Sequence, residues 1–415
     1  MPIDFSARSA DNTPRVWLVI GGQEYKLVDE SGYSYSSDVL TLTDTGTVNL
    51  ANPDGQYSGK IKKGASLQLY MSDPAVNGGA SVLRLTGIVT NPRMSASGGE
   101  KIQVQFSDLG WHLENCDAPL YIGLYGNWND LLRNLLQGPK DKTTGKRSDR
   151  KWGFQNAAGN IAVSFSSGSK DLYTALNQGR QGFERSALRR ADKGGDSLGF
   201  IPPIQSEAGM KIGQILVDYA RRAKLLVNIE SDGFLVFFQP NYSKAPGYTI
   251  EYHASTYSRR STNNIIDGSL SIDDPIDGEY TDVSCCSTTT NIQFQNTTEH
   301  PNATKTRGRY RDIDNLPFYR QATFSDGDQM DQTALNNRAI WYFQRGKFDS
   351  WTYTCDVHGH SQGGIFWVPN TMVSINDTVH NVVGNYYLQA VTYVRSRSLG
   401  TRCKLTLKKP NLLGA

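Results

Sequence analysis

His358-Gly-His360 is the arrangement in this chain closest to a chemical site, because His-x-His supplies two zinc ligands in some metallopeptidases. A third ligand would have to come from elsewhere, and neither His253 nor His300 is followed by an acid at the spacing those peptidases use. In an alternating strand His358 and His360 share a face, which accounts for the pair as an exposed or interface patch. The acids Asp273, Asp274, Asp277 and Glu279 surround Pro275 and Gly278, without the spacing of a calcium loop, and read as turn formers. The cysteines (Cys116, Cys285, Cys286, Cys355, Cys403) are odd in number and lack a Cys-x-x-Cys pair. Adjacent Cys285 and Cys286 point to opposite faces of a strand, so all five read as free thiols of a protein made in a reducing compartment. No Gly-x-Ser-x-Gly elbow, phosphate loop or Gly-x-Gly-x-x-Gly is present. The reading is therefore a non-enzyme with no catalytic residue, no cofactor and no metal, His358 and His360 being the metal candidates.

The elements that would carry these residues are mainly β. The chain has 415 residues, enough for two to four domains. With 20% charged residues and a net charge of +3, it has no field that demands nucleic acid. Forty glycines and 21 tyrosines fit Gly-rich turns between aromatic strands. No apolar run approaches the ~20 residues that span a bilayer, and Met1 to Arg15 lacks the apolar core of a signal peptide.

One β pattern occurs twice. The first copy reads Gly64–Met71, Leu83–Val89 and Lys101–Phe106; the second reads Asn370–Asn376, Tyr386–Thr392 and Arg402–Leu407. In each copy the last two strands are joined by a turn with Gly and Ser, Ser95 to Gly99 and Ser396 to Gly400. Strict apolar/polar alternation marks half-buried antiparallel strands. It assigns Leu67, Leu69, Ile102, Val104 and Phe106 to one core, and Val373, Ile375, Cys403, Leu405 and Leu407 to a second, separate one. The opposite faces carry Gln68, Gln103, Gln105, Ser374, Lys404 and Thr406, the candidates for a lumen or an interface.

Between the copies the period changes. Val16–Ile20 and Val39–Leu42 read as strands, and Trp128 to Leu136 as a helix capped by Asn127 and stopped at Gly138-Pro139. The basic stretches 139–151 and 180–197 read as exposed loops. A helix is expected over 206–224, with Ile212, Ile215, Leu216, Tyr219 and Ala220 buried. A hairpin over 225–239 follows, turning on the two residues Asp232-Gly233. Residues 288–325 have little periodicity and read as an arm, followed by a helix from Asp331 to Arg345 that Gly346 stops. The fold class is thus mainly β with an α+β insertion: two similar small antiparallel β-barrels and an intermediate α+β domain. The boundaries are 1–120 for the first barrel, 121–250 for the intermediate domain and 251–415 for the second barrel with its arm and embedded helix.

Four places in order along the chain resemble the central hub protein of contractile-tail baseplates, of the Mu-like tail hub family. They are Trp17–Tyr25 before a barrel ending Phe106–Gly110 and Asn115–Asp117; Ile204–Glu207 leading into the helix–hairpin with Asp232–Leu235; Ala334–Trp341; and Gly364–Asn370 with Lys409–Leu412. The resemblance implies a tail-tube-like homotrimer whose two barrels per subunit form a pseudo-sixfold ring. That ring would join a sixfold tail tube protein to a threefold central spike protein, contact other baseplate and wedge proteins, and let duplex DNA pass without specific binding. It implies a virion protein of the tail baseplate, assembled in the host bacterial cytoplasm. Two other classes stay open at this point. One is a tail-associated peptidoglycan hydrolase; the other is a receptor- or carbohydrate-binding tail module, with Trp152, Trp351 and Trp367 as stacking residues.

Overall fold

The structure is a computed structural model. It describes residues 15–118 and 209–413 apart from internal breaks (27–31, 53–54, 58, 95–100, 223–224, 241, 254–262, 288–306, 327–331, 397 and 399). It also describes 123–126, Leu135, 163–167, 170–171 and 201–205. The expected helix at 128–136 (Leu135 apart), both basic stretches and the first half of the arm lie outside the described residues.

The first β unit comprises β1 (Arg15–Ile20), β2 (Gln23–Lys26), β3 (Tyr33–Asp38), β4 (Thr45–Ala51), β5 (Ser66–Ser72), β6 (Val82–Met94) and β7 (Lys101–Asp108). Helix α1 (Gly110–Asn115) closes it. The middle of the chain holds β8 (Gly123–Gly126), β9 (Val163–Ser167), β10 (Lys170–Asp171), β11 (Ile201–Gln205), α2 (Ile212–Arg222), β12 (Leu226–Ile229) and β13 (Leu235–Phe238). The second unit opens with β14 (Tyr248–Tyr252) and β15 (Ser271–Asp273). A side sheet of β16 (Asp282–Ser287), β17 (Arg307–Arg311) and β18 (Gln321–Asp326) follows, with α3 (Gln332–Ser350) packed on it. The unit ends with β19 (Thr352–His358), β20 (Ser361–Gln362), β21 (Ile365–Phe366), β22 (Thr371–Asp377), β23 (Val382–Ser396) and β24 (Gly400–Lys408).

Both units share a pairing scheme down to its irregularities. In β6–β7, Val104 faces Pro92 and Phe106 faces Val89, with Thr90 bulged between them. In β23–β24, Leu405 faces Val391 and Leu407 faces Leu388, with Gln389 bulged at the same place. Leu67 and Leu69 face Gly87 and Leu85, as Val373 and Ile375 face Tyr386 and Gly384. Val48 pairs with Val104, as Cys355 pairs with Leu405. An extra residue inserted at one identical register in two ladders is a designed feature of each, and it makes the two units structural repeats. They differ at one flank: β5 has β1 antiparallel beside it, whereas β22 has β14 parallel.

The expectation of two separate cores is corrected. β3 pairs with β23, so one 13-stranded sheet runs through both units. A single buried cluster holds Leu67, Leu69, Ile102, Val104 and Phe106 together with Val373, Ile375, Cys403, Leu405 and Leu407. The intermediate unit adds its own cluster, in which Ile212, Ile215 and Leu216 of α2 meet Leu42, Leu113, Val227 and Phe237.

Other local expectations also change. The strand read at 39–42 is a turn: Asp38 Oδ1 accepts from Leu40 N at 2.8 Å and the Asp38 carbonyl from Thr41 N at 3.2 Å. The strand is β3, where alternating tyrosines bury their rings. Helix α2 begins at Ile212 rather than 206, because Gly209 has φ 85° and Lys211 bridges to Asp117. The hairpin turns on three residues, since Glu230 N donates to the Phe234 carbonyl and only Gly233 takes a positive φ. Within the arm, 307–311 and 321–326 are ladder strands on either side of β16. Helix α3 runs through Gly346, whose missing side chain lets the turn at Gly278 approach. Among the described residues no helix is long and apolar enough to cross a membrane.

Candidate functional site: the seam between the two β units

The histidine pair does not form a site. β19 ends at His358, Gly359 takes φ 74°, and the alternation that would put both rings on one face breaks there. His358 is exposed while His360 is buried, so the shared-face reading is corrected. Among the described residues no three His, Cys, Asp or Glu side chains converge as metal ligands. The acids go separate ways: Asp274 meets Lys409 at 3.8 Å, Asp277 meets Arg320 at 3.9 Å, and Glu279 accepts from Ser350 Oγ at 2.7 Å. Trp351 and Trp367 are buried, which removes both as exposed stacking residues; Trp152 lies outside the described residues. Cys285, Cys355 and Cys403 are buried and in no disulfide. Burial pushes the Cys355 and Cys403 thiols up, away from the reactive thiolate form.

Polar and aromatic chemistry gathers instead where β3 meets β23. Six pairs run from Asp38–Ala390 to Tyr33–Arg395. On the core side the rings of Tyr35 and Tyr393 stack, with centroids 5.6 Å apart and planes at 8°. Tyr33 Oη lies 3.1 Å from His360 Nδ1, and His360 also meets the Tyr393 ring edge-on at 5.4 Å. Arg84 of β6 crosses from the first unit: its Nη2 donates to Tyr393 Oη at 2.5 Å, and its guanidinium lies 5.5 Å from the Phe366 ring. Tyr393 Oη in turn donates to the Trp367 carbonyl. On the polar face Ser36 Oγ and Thr392 Oγ1 are 3.0 Å apart. The bulged Gln389 donates from Nε2 to both oxygens of Asp38, at 3.1 and 3.0 Å. The seam is thus a ladder with an apolar, aromatic side and a hydroxyl-lined side.

Its charges are settled by burial. Tyr35 Oη donates to Asp44 Oδ2 at 3.0 Å, and Asp108 Oδ2 accepts from Asp44 N at 2.9 Å. Burial holds the Asp44 carboxyl up at about 6 although Ser37, Tyr35 and the Asp38 N–H donate to it. Asp108 is raised further, by burial first and by Asp44 second. Burial lowers His360 to about 4, so it is neutral in the fold where the unfolded imidazole titrates near 6.5. A depressed imidazole costs stability as pH falls from about 6.5 to about 4, at about 1.4 kcal/mol per pH unit. The raised Asp44 acts in the opposite sense, its contribution being lost as pH rises from about 4 to about 6. Comparing the wild type with His360→Gln cancels the Asp44 contribution. The wild-type advantage in urea unfolding is expected to shrink by about 3 kcal/mol between pH 7 and pH 4. A pH-independent difference would mean that the ring takes up its proton as readily in the fold as in the unfolded chain.

The six polar-face residues fall on one side of the continuous sheet. Gln103 faces Asn49 and Arg93, Gln105 faces Thr47 and Asn91, Lys404 faces Asp356 and Thr392, and Thr406 faces Thr354 and Ala390. Gln68 lies opposite Thr86, whose hydroxyl donates to the Ser231 carbonyl of the intermediate unit at 2.7 Å. Ser374 lies between Thr249 and Asn385. The residues of the seam itself, Tyr33, Tyr35, Arg84, Gln389 and Tyr393, were not legible as a group. The one sequence signal was the Tyr-Ser-Tyr alternation of 33–35.

Residues 346–411 match the family model described as tail protein, C-terminal domain. A search of curated protein sequences gives no match. The fold is similar to the tail protein from Neisseria meningitidis MC58, with TM-score 0.68 and 20% identity over 97% of this chain and 98% of that one. It is also similar to the 43 kDa tail protein of prophage MuSo2 from Shewanella oneidensis, with TM-score 0.66 and 13% identity over 97% and 100%. Prophage tail protein gp18 from Listeria monocytogenes EGD-e gives TM-score 0.53 and 10% identity over 95% and 94%. Residues 346–411 therefore resemble the C-terminal domain of a tail-protein family, and the mainly β fold is similar, over nearly the whole chain, to the folds of solved tail proteins.

Proposed function

We propose that this protein is the hub of a contractile-tail baseplate, three copies of which close into a ring of six β units. The observation that carries the reading is the repeat itself: two units with one pairing scheme, bulges included, joined edge to edge in one sheet. Units related in this way present near-equivalent surfaces to a sixfold tube, while the chain as a whole repeats only three times and suits a threefold spike. The partners are then a tail tube protein, a central spike protein and further baseplate proteins, and the location is the virion tail. The role is structural rather than enzymatic.

The polar sheet face is the candidate lumen wall for duplex DNA. Gln103, Gln105, Ser374 and Thr406 are uncharged, Lys404 being the exception among the candidates. Such a wall neutralises few phosphates and so gains little counterion-release affinity. The deciding measurement is the mass of the purified protein by light scattering. Three times the 46.0 kDa chain mass is expected. A monomer at tens of micromolar would remove the ring, and a chelator-sensitive clearing zone on peptidoglycan would remove the structural assignment.

A further inference from the structure

Among the described residues, the repeat leaves one strand edge without the partner that its counterpart has. β23 is long enough to pair with β22 through 382–388 and, along the same edge, with β3 through 390–395. β6 is built the same way and pairs with β5 through 82–88, yet beyond the bulge it has, among the described residues, β7 alone beside it. Superposing the two bulges places Asn91–Met94 on Ala390–Tyr393. The strand that matches β3 in the second unit is β15. Ser34, Tyr35 and Ser36 face Thr47, Gly46 and Thr45 of β4, as Ser271, Ile272 and Asp273 face Thr354, Tyr353 and Thr352 of β19. β15 ends the sheet order and has no neighbour on its outer side among the described residues.

We propose that the open edge of β6, Asn91–Met94, pairs antiparallel with β15 of a second copy of this chain, repeating between chains the β3–β23 seam. The register follows from the chain's own seam. Tyr35–Tyr393 becomes Ile272–Met94, and Ser36–Thr392 becomes Asp273–Arg93. Both pairs are chemically matched. Met94 follows the core-facing side of the sheet beside Ile102, yet it is 51% exposed, while its counterpart Tyr393 is fully buried under Tyr35. The side chain brought over Met94 is the apolar Ile272. On the polar face, Arg93 and Asp273 are both exposed and carry opposite charges where Thr392 and Ser36 share hydroxyls. Within its own chain the Asp273 carboxylate accepts from Ser271 Oγ at 3.2 Å.

The backbone agrees. Val39 N donates to the Gln389 carbonyl, so 391 and 393 turn their amide groups toward β3. By the same alternation Met94 offers its N–H and C=O to the open edge. Pro92, which has no N–H, comes opposite Asp274, where β15 has already ended before Pro275. Each chain then offers one β6 edge and one β15 edge. That is a heterologous contact, and heterologous contacts close into rings when the rotation permits. Only the number of chains in the ring rests on the function proposed above.

The test uses the full chain. Position 93 faces 273 as a non-hydrogen-bonded pair, with Cα atoms ~4.5 Å apart, within disulfide reach. Arg93→Cys/Asp273→Cys, treated with a mild oxidant, is expected to give dimer and trimer bands on a non-reducing gel that neither single variant gives. Arg93→Asp and Asp273→Arg should each raise the concentration at which the assembly dissociates by about tenfold or more, and combining them should restore it. Both residues are exposed, so these variants keep the fold, and circular dichroism checks that. A wild-type trimer that neither cross-links nor responds to charge reversal overturns the seam and leaves the hub reading in place. A wild-type monomer overturns the hub reading and the seam together.

Discussion

Phe106→Ala is expected to lower the unfolding free energy by about 3–5 kcal/mol, the usual cost of emptying a fully buried aromatic site. Phe106 is 1% exposed and lies over Gly46, its cross-strand partner, where a Cβ would come within 2.3 Å of the ring. The second unit fills the same space the other way round: Tyr353 stands where Gly46 does, and Leu407 where Phe106 does. Gly46→Ala alone should therefore cost about 1–3 kcal/mol by overpacking. Adding Phe106→Leu should recover part of that, a coupling that a double-mutant cycle in urea measures. Additive losses would mean that the two residues do not share one packing site, and that the exchange of large and small between the units is coincidence.

Gly308→Ala should be as damaging, by about 3 kcal/mol or more, because backbone rather than a side chain stands in the way. An added Cβ would lie 2.0 Å from the Leu335 carbonyl carbon and 2.4 Å from Asn336 N, both on α3. Helix and side sheet would have to separate, exposing Val283, Leu335 and Phe343. Limited proteolysis should then cut near α3 before the main sheet is lost. Gly247→Ala, where a Cβ meets nothing within 4 Å, is the control and should be near neutral. Equal stability of the two variants would show that α3 does not pack closely on β17.

The alternation of Leu67, Leu69, Ile102, Val104 and Phe106, and of Val373, Ile375, Leu405 and Leu407, was enough to identify the strands, because a half-buried strand writes its burial at period two. The repeat was legible for the same reason, as was the mainly β class. Helix α2 was legible from its apolar stripe, but its start was not, since Gly209 and the Lys211–Asp117 bridge act through backbone conformation and a distant segment. Gly346 reads as a stop in any sequence, yet in this fold it lies inside α3, because the turn at Gly278 needs the room.

What only the tertiary structure decided is how the two units meet. Periodicity describes which face of a strand is wet, and it carries no information about which edge finds a partner far along the chain, as Asp38 finds Ala390. The joining of β3 to β23 therefore turned two expected cores into one, and placed Arg84, Tyr35 and Tyr393 together from three distant segments. His358 and His360 are two residues apart and read as a pair; a single positive φ at Gly359 sent one ring to solvent and the other into the seam.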